Sequence, residues 1–159
     1  MTDAPYGQGD ASYQAAGGWE GICALVNAFY DVMDSAPMAG DIRAMHAADL
    51  SEARDKLSCF LSGWLGGPKR YAERYGRGLG IPAVHQHMKI GTAERDAWLW
   101  CMQQAIDQQP YPVAFKEYLY RQLCVPAERI VQRCALHARC ALSFSALSWT
   151  WKQWHFWQG

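Results

Sequence analysis

Four separate runs of apolar residues at steps of three and four constrain this chain to a helical fold. In the first, Ile22, Val26, Phe29, Tyr30 and Met33 fall along one face, and Gly17 and Gly18 mark its start. The second places Leu50, Ala53, Leu57, Phe60, Leu61 and Trp64 on a stripe opened by Asp49 or Ser51 as N-cap and closed by Gly66-Gly67-Pro68. In the third, from Glu94 to Ile106, Ala97, Cys101 and Ala105 lie beside Trp98, Met102 and Ile106, and acidic Glu94 and Asp96 suit a helix N-terminus. The fourth, Phe115 to Cys134, carries Tyr118, Leu119, Leu123, Ile130 and Val131, with Pro126 predicting a kink or break. No segment alternates long enough to make a strand, and no repeat is visible, so the expected class is all-α.

Composition narrows the function classes. With 159 residues, half of them apolar and 19% charged, the chain can bury a core without metal or disulfide staples. Fifteen basic residues balance fifteen acidic ones, leaving no surplus charge for phosphate neutralisation, so nucleic acid is not an expected partner. The first residues show neither a basic start nor an apolar run of signal-peptide length, and no stretch suffices to cross a bilayer; a cytoplasmic protein without a membrane span is expected. Six cysteines form no C-x-x-C pair and read as reduced, mostly buried small apolar residues.

Between the second and third stripes, residues 66–82 hold five glycines and two prolines. Only short helical turns are plausible there, and an interval of that kind in a compact domain is usually functional or disordered. It leads into His85-Gln86-His87. Two histidines at that spacing lack the further ligands of a tetrahedral zinc site. A porphyrin iron asks less, one axial imidazole and an apolar slot, and His85 is a candidate for it beside the plainer reading of a surface or core histidine. Nucleophile elbows, phosphate loops and dinucleotide fingerprints are missing, and Gly76-x-Gly78-x-Gly80 follows no strand. The carboxylate pairs Asp31 with Asp34 and Glu94 with Asp96 read as solvated or capping. The segment after Cys134 has Trp149, Trp151, Trp154, Phe156 and Trp157 and no acidic residue, and reads as a helical extension with an aromatic tail.

Several runs together carry a resemblance. Gly17-Gly18-Trp19-Glu20-Gly21-Ile22, Ala28-Phe29-Tyr30-Asp31, His46-Ala47-Ala48-Asp49-Leu50, Phe60-Leu61-Ser62-Gly63-Trp64-Leu65-Gly66-Gly67-Pro68 and Glu94-Arg95-Asp96-Ala97-Trp98-Leu99-Trp100-Cys101-Met102 look like the group II truncated haemoglobins. The resemblance spans roughly residues 13–133. It implies a truncated-globin two-over-two helical sandwich around haem b, with a short proximal helix in the glycine-rich loop. The expected organisation is a flexible segment over 1–12, the globin domain over 13–133 and an extension over 134–159.

Counting back from Trp98 by the family's interval lands on His85 as the proximal iron ligand, with His87 as the alternative. Gln86, His87 and Met88 depart from the usual residues there, and Val84 stands where a basic residue usually helps hold a propionate; the resemblance implies Tyr71, which matches the family's tyrosine after Gly-Gly-Pro, as a candidate for that contact. On the distal side the resemblance carries over Tyr30, His46 and Trp98, with Ala53 and Leu57 as apolar neighbours. A phenol and an indole N–H stabilise a negatively polarised ligand in a dry pocket, at about 1–3 kcal/mol for each bond. His46, where relatives often have Tyr or Phe, can donate or accept. The implied function is binding of O2, NO or CO, or oxygen transport, with NO-dioxygenase or peroxidase-like turnover fed by an external reductase as an enzymatic extension. The competing reading is a non-haem helical interaction module using the Trp-rich tail. Monomer and homodimer both stay open.

Overall fold

The computed structural model describes residues 5–78 and 80–154, with side chains as far as residue 142. Among them the regular elements are all helical: α1 (Ala11–Ala15), α2 (Gly18–Ser35), a 3-10 turn (Pro37–Ala39), α3 (Gly40–Ala44), α4 (Ser51–Trp64), α5 (Arg70–Tyr75), α6 (Ile81–His85), α7 (Thr92–Asp107) and α8 (Val113–Trp154). The four apolar stripes become α2, α4, α7 and α8. Their pairing explains why the stripes are needed. α2 packs on α4, α7 packs on α8, and α2 also lies on α7, so two helix pairs stack in two layers. Phe29, Ile22, Leu25, Val26 and Met33 from α2 meet Leu61 from α4, Cys101, Met102 and Ile106 from α7, and Phe115, Leu119 and Leu123 from α8 in one core.

Local chemistry sets the boundaries. Gly17 precedes α2 at φ +85°, a left-handed conformation that costs a residue with a Cβ energy and glycine none. At the start of α4, Asp49 Oδ1 accepts the Ser51 amide at 2.9 Å and the Ser51 hydroxyl at 2.6 Å, while Leu50 occupies the N-cap position itself. Glu94, three residues into α7, reaches back to accept the Gly91 amide at 2.9 Å, which satisfies one orphan donor. The pairs read as structural behave so: Asp31 bonds Arg54 and Asp34 bonds Arg43, each at 2.7 Å, and Asp96 bonds Arg95 at 2.9 Å.

The glycine-rich interval holds two short helices. α5 is tied to α4 through Asp55, which accepts from Arg74 and from the Tyr75 hydroxyl. Arg74 first, then Tyr75, holds the Asp55 carboxyl below its ordinary value. Before the interval, Gly66 at φ +92° lies so close to the Gly9 carbonyl that a Cβ would collide with it. Residues N-terminal to α1 thereby pack on the end of α4, and Tyr6 reaches further, 5.1 Å between ring centres from Phe115.

One expected boundary is corrected. Pro126 does not break the fourth helix, which continues from Val113 to Trp154. An internal proline costs about 3 kcal/mol; here Leu123 and Ala127 are buried on either side of it and Cys134 is buried farther on, so packing offsets the lost hydrogen bond. Cys59, Cys101 and Cys134 are buried, Cys23 and Cys124 are half-buried, and Cys140 is exposed. No helix among the described residues is long and apolar enough to cross a membrane. The side chains of Trp149, Trp151 and Trp154 lie outside the described side chains, and Phe156 and Trp157 lie outside the described residues.

Candidate functional site

Tyr30 sits at the C-terminal half of α2, 5% exposed, on the face that meets α7 and the corner after α3. Its ring packs edge-on against Phe29 at 4.9 Å and against His46 at 5.7 Å. Phe29 in turn lies 5.1 Å from the Trp98 ring on α7. Tyr30, His46 and Trp98, from three different elements, therefore form one cluster with Phe29 as its hub. The arrangement follows from the helical period, because Phe29 and Tyr30 occupy adjacent positions on a stripe wide enough to touch both α7 and the α3 corner.

The polar tips in this cluster are unspent. No hydrogen bond joins the Tyr30 hydroxyl or the Trp98 indole N–H to another described residue, and neither is among the buried polar atoms left without a partner, which are Arg70 Nε and the Tyr111 hydroxyl; both tips are therefore open to a ligand. Burial pushes the Tyr30 phenol up to about 12, against a smaller opposing pull from Arg54, so it stays a neutral donor. The Arg54 guanidinium stands 5.7 Å from the centre of the Tyr30 ring, held by the Asn27 carbonyl at 2.9 Å and by Asp31. Two histidines are oriented alike. His46 Nδ1 lies 2.8 Å from the Ile42 carbonyl, and His85 Nδ1 lies 2.7 Å from the Ile81 carbonyl. A carbonyl only accepts, so Nδ1 carries the proton in each ring, and Nε2 is the atom of the neutral tautomer left with a lone pair.

His85 is half-buried at the end of α6, His87 is exposed, and Val84 is 40% exposed. α6 packs on α8, α5 packs on α4, and no pairing of comparable extent joins α4 to α6, α7 or α8. Along α4 the apolar Ala53, Leu57, Phe60 and Trp64 stay partly exposed although they adjoin the core. Uncovered apolar surface, spare donors and an imidazole with a free nitrogen are the requirements of a flat prosthetic group. Tyr71 lies on α5, 5.2 Å from Tyr75, and is not among the ring pairs of the Tyr30 cluster. A groove of about 660 Å³ lies elsewhere, between α7 and α8, beside Asp107, Lys116, Tyr120 and Arg121, away from both histidines.

The residue pattern of a bacterial-like globin matches residues 11–123. The chain belongs to the bacterial-like globins. Within them it is a group II truncated haemoglobin, with the all-helical two-over-two fold. This globin is 32% identical over 124 residues to the group 2 truncated hemoglobin YjbI of Bacillus subtilis (strain 168), covering 78% of this chain and 90% of that one. Among solved structures, the group II 2-on-2 hemoglobin from Agrobacterium tumefaciens is 34% identical with a TM-score of 0.71, covering 82% of this globin and 97% of that chain. The truncated oxygen-avid haemoglobin from Bacillus subtilis is 32% identical with a TM-score of 0.68, over 76% and 98% of the two chains. Membership of this family makes the chain a haem-binding globin.

Phe29, Arg54, Arg133 and Cys134 are the neighbours that sequence reasoning missed. Phe29 and Cys134 were visible as stripe positions. Nothing in their spacing distinguished a hub or a bond to another element from ordinary core.

Proposed function

We propose that this globin holds haem b through His85 and binds a diatomic gas, O2 foremost, on the side of Tyr30, His46 and Trp98. When bound, the haem supplies an iron with one position open to such a ligand. The observation that carries the reading is the His85 ring, whose Nδ1 proton is committed to the Ile81 carbonyl at 2.7 Å, leaving Nε2 as an electron-pair donor. A hydrogen bond of this kind raises the basicity of the imidazole and fixes its rotation. Ala53 and Leu57 supply apolar contact, and the small Ala53 leaves room for a small ligand to enter. Tyr71 is the residue assigned to a propionate.

The chain's remaining task is stabilisation of the bound gas. The Tyr30 hydroxyl and Trp98 N–H, both without protein partners, donate to a ligand bearing partial negative charge; His46 Nε2 accepts, orienting a neighbouring donor. Such donors slow release, which suits reaction better than delivery. Conversion of held O2 with NO, or of peroxide, is the turnover this implies, with an external reductase returning electrons. The oxygen avidity named for the Bacillus subtilis relative supports this reading.

The test is the absorption spectrum of the purified protein, reduced and then exposed to CO. A Soret band that shifts with CO is expected, lost or weakened in His85→Ala and retained in His87→Ala. An unchanged spectrum in His85→Ala overturns the assignment.

A further inference from the structure

α6 is too short to hold itself in place. Five residues give barely one hydrogen-bonded turn, far below the length at which a helix overcomes its nucleation cost, and none of its side chains is fully buried. Its position must come from a neighbour, and the neighbour is α8. Two polar contacts define where they meet. The Cys134 thiol donates to the His85 carbonyl oxygen at 3.1 Å, and Arg133 Nε donates to Gln86 Oε1 at 3.0 Å. Cys134 is 5% exposed, so water does not compete for that bond.

The His85 carbonyl also accepts the Met88 amide at 2.9 Å, which closes the turn after α6. Main chain and ring of the same residue are thus each pinned, the main chain by Cys134 and Met88 and the ring by Ile81. A shift of the His85 backbone would carry its Nε2 along. Outer partners that fix a ligating histidine typically change metal affinity by about 10–100-fold when removed.

Both side-chain donors lie beyond residue 123, where the match to the globin family ends. We infer that Cys134 is a positioning residue for the His85 imidazole, and that α8 past the matched region braces the proximal side of the haem site. The inference rests on His85 as haem ligand. Cys134 touches neither the ring nor the gas; it acts through the main chain of His85. A buried cysteine that merely filled volume would do as much with a valine in its place.

That difference is the basis of the test. Full-length, haem-loaded Cys134→Val keeps the bulk and loses the donor, Cys134→Ser keeps a donor, and Cys101→Ala truncates another buried cysteine on α7 remote from α6. Three readouts are taken: the iron–histidine stretching band of the ferrous protein, the rate of haem transfer to excess apomyoglobin, and hydrogen exchange at the Met88 amide. Cys134→Val is expected to shift or broaden the band, speed haem transfer about tenfold and speed Met88 exchange. Cys134→Ser is expected to restore all three, and Cys101→Ala to leave the band and Met88 unchanged. A parent-like Cys134→Val, a Cys134→Ser variant as impaired as the valine, or the same effects in Cys101→Ala overturns the inference. A parent protein without an iron–histidine band refutes the haem reading instead, and Met88 exchange in Cys134→Val then decides the brace alone.

Discussion

At the scale of the residue, Tyr30 shows what a hydroxyl that bonds no other protein group makes available to a ligand. A hydrogen bond from such a donor to a negatively polarised ligand is worth about 1–3 kcal/mol. Tyr30→Phe is therefore expected to raise the O2 dissociation rate by about fivefold to a hundredfold, read by stopped-flow displacement with CO. Trp98→Phe, where the indole is only half-buried, should raise it less; an unaltered rate would remove the indole from the site. Burial also sets a pH dependence. The Tyr30 phenol is pushed up to about 12, whereas an unfolded tyrosine ionises near about 10. Its contribution to stability is complete below about pH 10 and lost as pH rises towards about 12, because the unfolded chain releases the proton first. Denaturant titrations at pH 9 and 11 should show a smaller alkaline loss for Tyr30→Phe than for the parent. Tyr30, Trp98 and His46 were legible in the sequence because a motif carries each. Arg54 was not, since its place beside the Tyr30 ring depends on how α4 lies across α2.

Among the elements, the four long helices were readable because each carries its own period, and a period needs no knowledge of partners. α5 and α6 carry no period of their own: the residues argued only for short helical turns, and the short proximal helix that α6 forms was implied by the family resemblance. Each is held by another helix: α5 by Asp55 of α4 meeting Arg74 and Tyr75, α6 by Cys134 and Arg133 of α8. The uninterrupted passage of α8 through Pro126 was hidden for the same reason, since local propensity argues for a break and only tertiary packing argues against it. Asp55→Asn should loosen α5. With Arg74 and Tyr75 holding the Asp55 carboxyl down, that bond contributes above the usual carboxylate range and is lost as pH falls through the lowered value. The variant should therefore melt lower than the parent at pH 7, with the gap closing in acid, a comparison for thermal unfolding by circular dichroism. Gly66→Ala attacks the end of α4, where φ is +92° and the Gly9 carbonyl leaves no room for a Cβ. A loss of at least about 1–3 kcal/mol is expected from the backbone conformation alone, measurable by urea unfolding.

For the whole molecule, the division expected from sequence assigns residues 13–133 to the globin body and 134–159 to an extension, and α8 crosses that boundary without a change of element. Cys134 is the last buried residue along it among those whose side chains are described. A chain ending after residue 142 should consequently fold and retain haem as the parent does, while one ending after residue 130 should lose haem faster, both judged by transfer to apomyoglobin. The length of α8 has a separate consequence. Its 42 residues, at about 1.5 Å each, make a rod of about 63 Å, against a radius of gyration of about 14 Å for a body of some 120 residues. Rotational diffusion of such a particle is unequal about its axes, so nuclear relaxation rates should vary with the orientation of each bond vector, and small-angle scattering should carry an elongated tail that a sphere of equal mass lacks.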